Sequence, residues 1–192
     1  TETGDAVVLY KQIRRSIDRF IEQNKYQAVF TISAGILDTR GLYGGYDATL
    51  KLSEFTLNEA KNLGRNSYYI FEQETYDRFR RKRRITRHLH HAVNHEFQGF
   101  EIYFQPIVDA KTYRLVGAEA LMRFSMPSED GDDRMEPVSP VEFIPILEQT
   151  GLIIPAGKWI LREAVATCKK WQEAIPDFRI NVNLSYVQVI KS

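Results

Sequence analysis

The stretch GAEALMRF, Gly117 to Phe124, decides how this chain is understood. It alternates small and large apolar residues with two charges, Glu119 and Arg123, four places apart. A carboxylate costs several kcal/mol to bury unless it finds a cation, a metal or hydrogen-bond donors. Glu119 therefore needs a partner, and the flanking sequence supplies candidates.

Upstream, Phe100 to Val108 (FEIYFQPIV) is a second strand, separated from Arg114–Phe124 by the turn-forming Asp109-Ala110-Lys111. Downstream, Met126 to Val138 is acidic, contains Gly and Pro, and is expected to be a loop. Ser139-Pro140-Val141-Glu142 joins an N-cap serine, a first-turn proline and a glutamate at the third helical position, the marks of a helix start. That helix ends near Gly151. Another spans Pro155 to about Ala174, with Ile160, Ala164, Thr167, Cys168 and Trp171 inward, and Arg179 to Leu184 (RINVNL) is the next strand. Strand, strand, helix, helix, strand matches the opening of a β/α barrel, whose functional residues sit at the C-terminal ends of strands. Glu119 falls late in one strand and Asn183 late in another. Both are oxygen donors suited to hard divalent cations, and on neighbouring strands they could share one. Two other roles compete on spacing alone: Glu119 pairing with Arg123, and Asn183 capping the helix that follows.

FEIYFQPIVDAKTYRLVGAEALMRF, SPVEFIPILEQTGLIIPAGKWILREAV and INVNLS, in this order, resemble the start of an EAL domain. That family hydrolyses cyclic di-GMP to the linear dinucleotide with Mg2+ or Mn2+. The resemblance implies that Glu119 and Asn183 are metal ligands, that Arg123 holds a ligand phosphate, and that Gln105 and Leu121 line the nucleotide site. Glu142 and Glu148 are expected to be structural. Phe104 stands where the family more often has tyrosine, and Phe124 where it has tryptophan. The loop Ser125 to Ser139 is longer and more acidic than usual, and its Asp130, Asp132 and Asp133 lack the spacing of a calcium loop. The family's further acidic ligands, in a DDFG-like motif, and its lysine lie beyond the asparagine strand and are not in this sequence. A two-metal hydrolysis needs donors around both reacting oxygens, so the 192 residues are expected to be inactive by themselves. A cyclic di-GMP receptor or protein-interaction module is the rival expectation.

The first part of the chain has another pattern. A helix is predicted over Val8–Ile21, with Leu9, Ile13, Ile17, Phe20 and Ile21 as its inward stripe, then a strand over Gln27–Ile32. A second helix takes Ala48–Leu63, with Leu52, Phe55, Thr56, Ala60 and Leu63 on one face and Gly64 as a left-handed cap, before a strand at Ser67–Phe71. FTISAGI with LKLSEFTLNEAKNLGRNSYYIF resembles the C-terminal part of a GGDEF domain, the module that makes cyclic di-GMP from GTP. Its signature hairpin would precede Thr1; Gly44-Gly45-Tyr46-Asp47 follows the strand and is not that hairpin. Lys61 and Arg65 correspond to phosphate contacts in that family, and the remnant is expected to bind GTP or to transmit signals without cyclase activity. The expected organisation is thus α/β: residues 1–71 as part of a GGDEF-like domain, 72–96 as a helical connector, and 97–192 as the N-terminal half of an EAL domain.

The connector is strongly basic, with seven cations from Arg78 to Arg87. Such a helix can neutralise nucleic-acid phosphates, but stacking aromatics are sparse and the whole chain carries only +1, so no nucleic-acid polymer is expected as partner. His88, His91 and His95 fall within an arc of roughly 60° at about 100° per residue, a stripe that zinc could use only with a fourth ligand. A single cysteine, Cys168, gives no disulfide framework and fits a reducing compartment. No apolar run reaches the ~18 residues of a membrane helix, and TETGDAVV is no signal peptide. The family likeness implies a bacterial cytoplasmic module cut from a longer protein, of a kind that can be joined to a membrane sensor. Its open sheet edge predicts self-association, as a homodimer.

Overall fold

The computed structural model describes residues 3–27, 30–40, 44–64, 66–129 and 134–191. They form two compact units, 1–79 and 80–192. No helix among them is long and apolar enough to cross a membrane.

The first unit holds α1 (Thr3–Gln23), β1 (Ala34–Ile36), α2 (Gly45–Asn62) and β2 (Tyr68–Ile70). β1 and β2 pair in parallel with Ala34 opposite Tyr68. Gly35 lies so close to α2 that a Cβ there would come within 2.6 Å of the Leu57 backbone nitrogen. Phe55 is buried on α2 against the rings of Phe71, Tyr76 and Phe79, at 5.0 to 6.4 Å between centroids. Three expectations need correction. The strand placed at Gln27–Ile32 is found at Ala34–Ile36, because only those residues meet β2; residues 28 and 29 lie outside the described residues, and Phe30 is exposed. Leu9, Ile13 and Phe20, predicted to face inward, are exposed; α1 buries Tyr10 instead, whose hydroxyl donates to the Ile32 carbonyl at 3.2 Å. Periodicity gives the stripe of an amphipathic helix but not what covers it. Leu63 is exposed too, while Phe55, Thr56 and Ala60 are buried as expected.

The second unit takes the C-terminal part of α3 (Gln73–Asn94), then β3 (Phe100–Val108), β4 (Leu115–Pro127), β5 (Met135–Val138), α4 (Pro140–Thr150), α5 (Ile153–Gln172), β6 (Arg179–Val182) and α6 (Tyr186–Lys191). β3 and β4 form an antiparallel hairpin, with Gln105 opposite Glu119 and Phe100 opposite Phe124. Asp109 closes its turn by accepting from the backbone N–H groups of Lys111 and Thr112 and from the Thr112 hydroxyl. β6 joins β4 in parallel along Gly117–Ala120, and β5 joins it antiparallel along Phe124–Pro127. β3 lies along one edge of β4 from Leu115 to Phe124, opposite β6 along Gly117–Ala120 and opposite β5 at Phe124, so β5 and β6 share the other edge in succession. Between them, Leu121 to Arg123 has no ladder partner on that edge.

The sheet is four-stranded and open, and no closed barrel forms among the described residues. Its apolar face carries Phe100, Ile102, Phe104, Ala118, Ala120, Met122 and Phe124, and packs on α3, α4 and α5 through Ile85, Leu89, Phe143, Leu147, Ile153, Ala156 and Ile160. The basic helix therefore does more than link: Ile85, Leu89 and Ala92 are core residues of the second unit. The predicted loop over Met126–Val138 contains β5, whose Pro137 and Glu136 masked a short ladder anchored by the buried Val138. Asp130, Asp132 and Asp133 fall outside the described residues.

Candidate functional site

The opposite, polar face of the same sheet brings the sequence candidates together. Glu119 lies in β4 before its midpoint rather than late in it, and Asn183 lies one residue past the end of β6. Glu119 pairs with Asn181 across the parallel ladder, and the two-residue period returns Asn183 to the same face. There the Asn183 Nδ2 donates to Glu119 Oε1 at 2.7 Å. Gln105, directly across the hairpin from Glu119, shares this face, as do Leu121 and Arg123 further along β4. Arg123 donates to the Met122 carbonyl at 2.9 Å, and its guanidinium sits 5.4 Å from the centre of the Tyr103 ring. This cation–π contact leaves the planar edge of the guanidinium able to take an anion.

Both alternatives left open by spacing are resolved. Glu119 is held by Asn183, and the hydrogen bond of Arg123 goes to a backbone carbonyl. Ser185, not Asn183, caps α6: its Oγ accepts from the Val187 N–H at 3.3 Å. Ser185 and Gln188 escaped the sequence reading, although serine two residues past the asparagine and just before an apolar helix was a usable capping signal. Ser185 Oγ also donates to Glu148 Oε1 at 2.6 Å, so Glu148 reaches the site from α4. A cavity of about 340 Å3 lies beside this face: Arg123, Glu148, Asn183 and Ser185 meet apolar residues such as Met122 and Ile160 in its lining, and Glu119 and Gln105 are not part of it. It occupies the gap on the β4 edge between β5 and β6, at the C-terminal end of β6, where a β/α architecture places its ligands.

Other candidates lie elsewhere. Lys61 is exposed in the last turn of α2, and Arg65 lies outside the described residues. Within the basic run, Arg81 and Arg84 bind acids outside their own helix. Arg81 grips Glu142 through Nε at 2.5 Å and Glu136 through a terminal nitrogen at 2.6 Å. Arg84 donates to Glu136 at 3.1 Å and to the Pro127 carbonyl. The Arg81 guanidinium holds both carboxyls below their ordinary range. The capping box predicted at Ser139 is only half formed: the serine side chain makes no cap bond, and the Glu142 carboxylate is bound chiefly to Arg81. His91 and His95 stack at 3.9 Å, with the His95 ring bonded to the His91 carbonyl, and no cluster of three or more metal-binding side chains exists among the described residues.

Comparison with known proteins bears on residues 86–191, which match the family model described as EAL domain, over half of the chain. The chain is 40% identical over 130 residues to the uncharacterized protein sll1895 of Synechocystis sp., covering 67% of this chain and 18% of that protein. It is 28% identical over 192 residues to MucR of Pseudomonas aeruginosa, named as a bifunctional diguanylate cyclase/cyclic di-GMP phosphodiesterase, covering 97% of this chain and 26% of that one. Among solved structures, the PaMucR phosphodiesterase in complex with c-di-GMP is 33% identical, with a TM-score of 0.40, over 50% of this chain and 36% of that one. The chain thus spans about a quarter or less of the length of the curated relatives it matches. By the extent of the family match, this chain belongs to the EAL domain family.

Proposed function

We propose that this chain serves cyclic di-GMP signalling, as part of a protein that as a whole is a metal-dependent cyclic di-GMP phosphodiesterase. The observation that carries the reading is the 2.7 Å contact of Asn183 with Glu119, on the face that also presents Arg123. A carboxylate and an amide are hard oxygen donors, and the nitrogen of the amide faces the carboxylate, so its Oδ1 stays available. In kind they fit Mg2+ or Mn2+. When bound, such an ion supplies charge neutralisation and Lewis acidity at a phosphodiester oxygen. Glu119 and Asn183 hold it, Arg123 holds a phosphate of the dinucleotide through its guanidinium edge, and Gln105 and Leu121 border the base and ribose.

Two donors form one side of a two-metal clamp. The 192 residues alone therefore bind the dinucleotide weakly and do not cleave it. Residues 1–71 act as a GGDEF-like remnant, with Lys61 and Arg65 toward the phosphates of GTP, 72–96 as the connecting helix, and 97–192 as the EAL part of a barrel. The module works in the bacterial cytoplasm, in a protein that pairs as a homodimer. Calorimetric titration of cyclic di-GMP with Mn2+ present tests the reading, alongside chromatography for the linear product. Weak, Mn2+-dependent binding that Arg123→Ala and Glu119→Ala both abolish is expected, with no cleavage. Binding indifferent to both substitutions would overturn the site, and cleavage would overturn the division between chain and whole protein.

A further inference from the structure

The side chain of Glu148 points from α4 toward the segment that carries Asn183, and no role in the reading above uses it. We propose that Glu148 is a positioning residue: through the Ser185 hydroxyl it fixes where the Asn183 amide stands relative to Glu119. This rests on Glu119 and Asn183 being the functional pair.

Regular pairing of β6 with β4 ends at Val182, opposite Ala120. Asn183 and Leu184 follow without ladder partners, and the chain is caught again at Ser185. There Ser185 Oγ donates to Glu148 Oε1 at 2.6 Å, the length of a charge-assisted O–H···O bond. The Ser185 N–H donates to Gln188 Oε1 at 3.0 Å, and Ser185 Oγ accepts from Val187. Asn183 thus hangs between two fixed points, a ladder on one side and a carboxylate on the other. Without the second anchor Ser185 would be held only through α6, a six-residue helix that buries no residue fully and meets the core through the partly buried Val187.

The anchor is rigid for reasons visible in α4. Ile146 and Leu147, the neighbours of Glu148, are buried in the core. The helix is held at its start by the Arg81–Glu142 bond and closed at its end by Gly151, whose φ of 77° suits glycine. Gly157 on α5 adds a further adjustment. A Cβ at that position would collide with the amide of Gln188, so the missing side chain gives Gln188 its place beside Ser185. Four residues from three helices and the linking segment therefore converge on one backbone step, two residues from the candidate ligand.

The test uses the 192-residue chain with two readouts: the Asn183 side-chain amide in ¹H–¹⁵N spectra of the metal-free protein, and Mn2+ affinity by titration. In the wild type the amide should be shifted by its bond to Glu119 and protected from exchange. Glu148→Ala and Ser185→Ala, which cut the link from opposite ends, should both lose that signature and weaken Mn2+ binding about 10- to 100-fold, the usual effect of removing a group that orients a ligand. Glu148→Gln should retain both, because its amide oxygen still accepts from Ser185. An unchanged amide signal in both alanine variants would overturn the proposal. So would a Glu148→Gln variant as impaired as Glu148→Ala, which would mark the charge itself as the active element. If the wild type binds no Mn2+ while the amide behaves as described, the ion assignment falls and the positioning role stands.

Discussion

Replacing Gly117 with alanine probes how β6 is set against β4. An ideal Cβ on Gly117 would lie 2.6 Å from the Arg179 carbonyl oxygen, whereas ordinary contact begins near 3.4 Å. The obstacle is backbone, so no side-chain rotation relieves it, and β6 must retreat by about 0.8 Å, the difference between those two distances. Overpacking of this kind costs about 1–3 kcal/mol, partly offset by roughly 0.4–1 kcal/mol from the stiffer unfolded chain. With a urea slope of about 1–3 kcal/mol per molar, the unfolding midpoint should drop by a few tenths of a molar to about 1 M. The same retreat would lengthen the 2.7 Å Asn183–Glu119 contact to the outer limit of a hydrogen bond.

Urea titration followed by tryptophan fluorescence, with Mn2+ titration of the same samples, measures both effects. Gly4→Ala is the control, since an added Cβ in α1 meets nothing within 4 Å and should leave the protein as stable or more so. A Gly117→Ala protein with wild-type stability and wild-type Mn2+ affinity would refute the reasoning. It would mean that β6 does not depend on the missing side chain at Gly117.

Phe143, fully buried between the rings of Phe100 and Phe124, should cost about 3–5 kcal/mol when cut to alanine; chemical denaturation checks it, and a loss below about 1 kcal/mol would deny this core. Glu136 and Glu142 have carboxyls depressed below 4.5 by Arg81, so their contribution is present above that pH and is lost as pH falls through the depressed values. A stability–pH curve should therefore lose part of its acid limb in Glu142→Gln, by at most about 1 kcal/mol because these pairs are partly exposed.

The residues that place Glu119 and Asn183 on one face were legible because a period of two in a strand is a geometric necessity once the strands are identified. The hairpin was legible for the same reason, with Asp109 marking its turn. The open gap on the β4 edge was not, since it depends on β5, a short ladder hidden in a stretch whose proline and acids argue for a loop. The inward stripe of α1 failed for a different cause: Leu9 and Ile13 have the right spacing, but which side of the helix packs is settled by β1 and β2, remote in sequence. Glu148 was assigned to helix structure from its neighbours, and its partner Ser185, 37 residues away, cannot be inferred from local pattern. The basic run of α3 looked like a solvated or phosphate-binding face until Glu136 and Glu142 appeared opposite Arg81.

Crystals of the chain soaked in Mn2+ and measured at the manganese absorption edge give the most direct test of the assignment of Glu119 and Asn183. An anomalous peak within about 2.0–2.6 Å of a Glu119 carboxylate oxygen and of Asn183 Oδ1 is the predicted result. Soaked crystals with no peak there, or with manganese bound only at other carboxylates, would contradict it.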